Sequence, residues 1–143
     1  MLCGLILDYG GVLTDTGDAD PAGAGPAPVE PPLVGVLREA RSGGVRTALL
    51  SDADRLGPWF DGLAGLFDAV VVSGEVGFGK PDPRSYLLAA DRLGLAPARC
   101  VFVDDLAANV RGAVAVGMVG VHHRSVETTR NELDVLLGLP RAR

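Results

Sequence analysis

The chain is poor in aromatic residues, poorer in cysteine and almost without lysine. Aromatics make up 5% of its 143 positions, one Trp, two Tyr and four Phe, so the core must be built mainly from Ala, Val and Leu. Cys3 and Cys100 are too few for a disulfide framework and match no zinc spacing. They read as buried free thiols, since a redox role lacks electropositive surroundings. No apolar run approaches the roughly 20 residues that cross a bilayer. Met1 to Leu7 lacks the basic leader and cleavage signal of a secretory peptide, so a cytoplasmic location is expected. There is no basic cluster, and the net charge is −5. That balance argues against nucleic acid and against anionic membranes as partners.

What is present is a single-domain length, 1–143, with 48% hydrophobic residues, enough to bury a substantial core. Of 13 basic residues one is a lysine, Lys80, and the rest are arginine. A lone lysine in an Arg-rich chain is either chance or a place where a compact ammonium must approach an oxygen.

Short apolar runs alternate with helical patterns. Leu2–Leu7, Val45–Leu50, Ala69–Val72, Cys100–Val103 and Met118–His122 read as strands. Leu33–Arg41, Pro83–Leu93, Leu106–Val116 and Val126–Leu137 read as helices, and Asp54–Leu66 as a weak one broken by Gly57-Pro58. Asp82 is placed to cap the Pro83 helix and Gly94 to end it. The strands are apolar throughout, as when both faces of a sheet are covered. The expectation is an α/β fold: one doubly wound, Rossmann-like, five-stranded parallel sheet with helices on both faces. Ligands in such sheets bind beyond the carboxyl ends of the strands. One segment breaks the rhythm. Residues 17–32 hold five Pro, four Ala and three Gly, with almost nothing to bury. They are expected to form a flexible loop, either a tolerated insertion or a substitute lid.

Four elements fall at strand ends in chain order. Asp8 leaves the first strand in LILDYGGVLTD, with Gly10 and Gly11 behind it. Ser51 and Asp52 follow the second strand in ALLSD. Lys80 precedes a helix in GKPDP. Asp104 and Asp105 close the fourth strand in VFVDDLAANV. Carboxylates converging at one sheet edge repel unless a cation sits among them, and an oxygen set with open positions suits Mg²⁺. A hydroxyl, an ammonium and turn amides supply donors for a phosphate. A carboxylate beside that cradle can act as a covalent nucleophile. Each element alone is weak; four in this order are jointly specific.

With these motifs the sequence resembles the haloacid dehalogenase (HAD) superfamily of hydrolases, in the branch of the phosphatase-like domain of soluble epoxide hydrolases. The resemblance covers the chain apart from 17–32 and the last helix. It implies a Mg²⁺-dependent phosphatase acting through an aspartyl phosphate on Asp8. Ser51, Asp52, Lys80 and the Gly11 turn are implied to hold the phosphate. Asp8, the Gly10 carbonyl and Asp105 are implied as metal ligands, with Asp104 supporting through water or as a further ligand. Asn109 is implied to orient Lys80 or its loop.

The sequence departs from that family in two ways. Family phosphatases carry an acid–base aspartate two residues after the nucleophile; here the position is Gly10. Such a group is worth roughly 10²–10⁴-fold in rate. Asp15 is the one nearby candidate to replace it, unless it is an ordinary turn aspartate. The second departure is size: 43 positions separate Asp8 from Ser51, and 73–79 leaves no room at the other usual cap site, so no cap domain is expected. By the resemblance, capless members act on macromolecules or close the site with a neighbouring subunit, which implies a macromolecular phosphorylated substrate or a homo-oligomer. Two functions stay open: a hydrolase favouring good leaving groups, and a catalytically impaired module that binds metal, phosphate or a protein partner. His122 and His123 are adjacent on a strand and point to opposite sides, which is wrong for a metal pair. Trp59 and Phe60 are expected to pack beneath the neighbouring helix, with a partner surface as the alternative.

Overall fold

The computed structural model describes residues 1–17 and 30–140. Residues 18–29, most of the Pro/Gly/Ala-rich segment, lie outside the described residues. Five strands form one all-parallel sheet in the order β3-β2-β1-β4-β5. They are β1 (Gly4–Leu7), β2 (Arg46–Ser51), β3 (Ala69–Val72), β4 (Cys100–Asp104) and β5 (Val119–His122). The helices are α1 (Pro32–Ser42), α2 (Pro58–Asp61), α3 (Ser73–Val76), α4 (Pro83–Leu93), α5 (Ala107–Ala115) and α6 (Val126–Leu137). No separate cap is present among the described residues.

The strands are apolar throughout because each face meets its own helical layer. Leu5, Leu7, Leu49, Val101 and Val103 pack with α1 and α6. Ile6, Ala48, Leu50, Val71 and Phe102 pack with α4 and Ala113 of α5. Side chains alternate along a strand, so Asp8, two after Ile6, and Asp104, two after Phe102, fall on the α4–α5 side. Leu7 is in register with Val103, which places the two carboxylates level with each other.

The helix signals hold where they rest on local chemistry. Leu33, Val34, Leu37 and Ala40 are all buried. The Asp82 carboxylate accepts from the Arg84 amide at 2.9 Å, and Gly94 closes α4 in the left-handed conformation at φ 70°. The weak helix of 54–66 shrinks to one turn, α2, and a 3₁₀ turn at Ala64–Leu66, as its Gly and Pro content dictates. Inside it Phe60 is buried against Tyr9 and Phe67. Trp59 corrects the expectation of packing beneath a helix: it is 47% exposed, with its ring edge-on to Tyr9. Cys100 is buried and Cys3 partly so, both as free thiols. Burial pushes the Cys100 thiol up to about 11, which leaves it unreactive. None of the described helices is long and apolar enough to cross a membrane.

Candidate active site

The ends of β1, β2 and β4, the loop before α4 and the first turn of α5 line one pocket of about 260 Å³ with Asp8, Gly10, Ser51, Asp52, Lys80, Asp105 and Asn109, together with Leu106. A larger groove of about 610 Å³ runs between β5 and α6. It is walled mainly by apolar side chains such as Val119, Val121, Val135 and Leu136, with no cluster of groups suited to chemistry.

Order in the smaller pocket comes from Lys80. Its ammonium donates to Asp8 Oδ1 at 2.7 Å, to Asp104 Oδ2 at 3.0 Å and to the Leu50 carbonyl at 3.0 Å. Those are all three donors an ammonium has. The Lys80 side chain is 2% exposed, Asp104 0% and Asp8 12%. Lys80 arrives from the loop before α4, and the Asp52 carboxylate fixes that loop by accepting from the Lys80 amide at 2.9 Å. Asp52 therefore holds Lys80 in place, a role the sequence did not indicate. A planar guanidinium matches this three-way convergence poorly, a physical reason for one lysine in an arginine-rich chain.

Asp104 is locked just as fully. Its Oδ2 also accepts from Asn109 Nδ2 at 3.1 Å, and its Oδ1 from the Leu106 amide at 3.0 Å. Asn109 thus corrects the sequence expectation: it bonds Asp104, and it meets Lys80 only through their shared oxygen. The Asn109 carbonyl is itself held by the Tyr86 hydroxyl at 2.6 Å. Gly11 also departs from expectation, because its amide donates to Thr14 Oγ1 at 2.9 Å. Gly11 matters sterically instead. It sits at φ 81°, and a Cβ there would lie 2.5 Å from Asp105 Oδ2. Gly10 is different: it has ordinary dihedrals, φ −70° and ψ 128°, and a Cβ would meet nothing within 4 Å.

Asp15 is not free to act as an acid. Its Oδ2 pairs with His123 Nε2 at 2.7 Å and its Oδ1 accepts from the Gly17 amide at 2.8 Å. Burial raises its carboxyl, but the His123 hydrogen bond, the Gly17 amide and the His123 charge outweigh that and hold it below the ordinary value. His122 and His123 do point to opposite sides. The His122 ring reaches the Asp105 carbonyl, and the His123 ring lies between Asp15 and Thr129.

Carboxylate oxygens of Asp8, Asp104 and Asp105 lie within 4.8 Å of one another. Three carboxylates then face one ammonium. Burial pushes Asp8 up to about 6, with Asp104 adding to the rise and Lys80 opposing it. A group whose folded pKa exceeds its unfolded value stabilises the fold only below the unfolded pKa. For Asp8 that contribution is lost as pH rises from about 4 through about 6. Asp8→Asn removes the buried charge and keeps an acceptor for Lys80. The metal-free variant is expected to be more stable than wild type at pH 8 by about 1–3 kcal/mol, with no gain at pH 3.5. Thermal melts across pH test this; a variant less stable at pH 8 contradicts it.

The fold and the site set an aspartate at the exit of the central strand with a buried lysine beside it. The model of the haloacid dehalogenase-like hydrolase family matches residues 5–117, and the chain belongs to that family. A crystal structure of an uncharacterized protein from Corynebacterium glutamicum ATCC 13032 matches at 34% identity over 100% of both chains, with a TM-score of 0.83. A phosphoserine phosphatase of Thermus thermophilus is 40% identical over 66% of this chain and 40% of its own length. Acyl-CoA dehydrogenase family member 10 of Mus musculus is 34% identical over 77% of this chain and 11% of its own. The chain thus spans less than half the length of these two relatives.

Proposed function

We propose that the chain is a Mg²⁺-dependent phosphatase that works through an aspartyl phosphate on Asp8 and favours substrates with good leaving groups. The observation that carries this reading is the buried Asp8–Lys80–Asp104 cluster, in which two carboxylates share one ammonium and a third, Asp105, lies close by. That excess of negative charge fits a hard divalent cation. Asp8, Asp105 and the Gly10 carbonyl would hold it, with Asp104 supporting. When bound, Mg²⁺ supplies positive charge to the phosphoryl oxygens.

The chain's own residues do the rest. One Asp8 carboxylate oxygen attacks phosphorus; the bond to the leaving oxygen breaks, and that oxygen departs with the electron pair. Lys80 orients Asp8 and spreads positive charge over the transferring group, while Ser51 donates to a phosphate oxygen. Water then attacks phosphorus, releasing inorganic phosphate and restoring Asp8. Among the described residues neither step has a general acid or base, because Gly10 has no side chain and Asp15 is bound to His123. Acyl and aryl phosphates leave without protonation, and alkyl phosphates do not. The phosphatase name of the Thermus relative supports a phosphorylated substrate, and the capless pocket supports a large one.

The test is hydrolysis of acetyl phosphate, p-nitrophenyl phosphate and glycerol phosphate by the full chain, with and without Mg²⁺, beside Asp8→Asn. The expected order is acetyl and p-nitrophenyl phosphate far ahead of glycerol phosphate, all lost in the variant. The second reading, a module that binds without turnover, is favoured by Gly10 itself. It would prevail if wild type and Asp8→Asn gave the same rates while the protein bound Mg²⁺.

A further inference from the structure

The end of β5 touches both acidic turns. The backbone amide of His123 donates to the Asp104 carbonyl at 2.8 Å. His122 Nε2 donates to the Asp105 carbonyl at 3.0 Å. The His123 ring, on the other side of the sheet, grips Asp15 at the exit of the Asp8 turn. Two adjacent residues therefore tie together the loops that carry Asp8, Asp104 and Asp105.

Asp105 needs this tie most. The Asp104 carboxylate is fixed by three donors. The Asp105 carboxylate is exposed, and among the described residues no hydrogen bond reaches it. Its place rests on the backbone of the 104–106 turn and on the Gly11 gap beside it. Among the described residues the one side chain from another element that holds this backbone is His122. Its ring lies on the α5 side of the sheet, as does Gly120 two residues earlier, which abuts Val110 and Val114. A carbonyl only accepts, so Nε2 carries the proton in the neutral ring.

We propose that His122 is a positioning residue: it holds the Asp105 carboxylate in its cation-binding place through the Asp105 backbone carbonyl. The inference rests on the phosphatase reading above. Outer partners of metal-binding groups typically matter about 10–100-fold in metal affinity. His122 is partly exposed, so its removal leaves the core intact.

The experiment compares wild type, His122→Ala and His122→Gln as full chains. Calorimetry reads the Mg²⁺ Kd, and amide hydrogen exchange without metal reads protection at Leu106, whose amide closes the turn. His122→Ala is expected to weaken Mg²⁺ binding about tenfold or more and to lose protection at Leu106, with the metal-free Tm unchanged. His122→Gln, which restores an N–H donor, is expected to recover both. Equal Kd values for wild type and His122→Ala overturn the proposal. So does a His122→Gln chain as impaired as His122→Ala, because the ring's bulk would then matter and its hydrogen bond would not. A wild type that binds no Mg²⁺ overturns the phosphatase reading itself. It is distinguishable because failure at His122 alone leaves wild-type binding intact.

Discussion

Lys80→Met is expected to produce the largest loss of any single substitution in the chain, in both rate and stability. The ammonium is the one cation that lies between Asp8 and Asp104, and it is almost wholly buried. Methionine keeps the volume and removes the charge. Taking one partner from a buried ion pair typically costs about 3–5 kcal/mol. For a domain of this size that lowers Tm by roughly 10 °C. The cost depends on pH in a defined sense. Without Lys80 the Asp8 carboxyl rises further, so the deficit is greatest near pH 8 and shrinks as the pH falls towards 5 and Asp8 takes up a proton. Mg²⁺ should recover part of the lost stability, but not the rate. Loss of one preorganised donor to the transferring group costs on the order of 10²–10³-fold, and here Asp8 is misplaced as well. Paired melts at pH 5 and pH 8, with and without Mg²⁺, check the stability arm. A variant within 1 °C of wild type at pH 8 would show that the cluster is not the ion-paired core of the site.

Gly10→Asp is expected to act in the opposite direction. The backbone there already has dihedrals that any residue adopts, and the position of a Cβ is open. The substitution therefore restores the missing acid–base carboxylate without strain. Turnover of glycerol phosphate should rise by about 10²–10⁴-fold. Acetyl phosphate should change little in its first step, since its leaving group needs no proton. Gly11→Asp, one residue on, is the contrasting control. There the Cβ would strike Asp105 from a left-handed backbone position, and activity should fall. If Gly10→Asp leaves alkyl phosphates untouched while the protein still turns over acetyl phosphate, the missing carboxylate is not what limits the enzyme.

The fold was legible because its signals are local. Apolar runs, the Asp82 cap and the Gly94 stop each depend on residues within a turn of one another. Asp8, Ser51 and Asp104 were legible for a related reason: each closes a strand, and a parallel sheet places all such ends on one edge. What stayed hidden depends on side chains meeting across large sequence distances. Asp15 and His123 are 108 residues apart, and nothing local marks an aspartate in a turn as the partner of a histidine after β5. Asn109 was assigned to Lys80 because both are near the site, but its amide reaches Asp104 first. The resemblance implies a phosphate role for the Gly11 turn, and in the structure the Gly11 amide donates to Thr14, three residues on. The Asp52 side chain secures the loop before α4 across 28 residues of sequence, which no local pattern marks.

The central claim is that Asp8 becomes phosphorylated, and the lack of a base at Gly10 gives it a distinctive signature. With a good leaving group the first step needs no acid, whereas release of phosphate from Asp8 still needs an activated water. The phosphoenzyme should therefore accumulate. Rapid mixing with p-nitrophenyl phosphate and Mg²⁺ should give a burst of nitrophenolate close to one equivalent per chain, followed by slow turnover. Acid quenching and peptide mapping should place the phosphate on Asp8. The burst should vanish in Asp8→Asn, and should diminish in Gly10→Asp as the second step accelerates. Steady turnover from the first instant, with no phosphate on Asp8 at any time, would contradict the account.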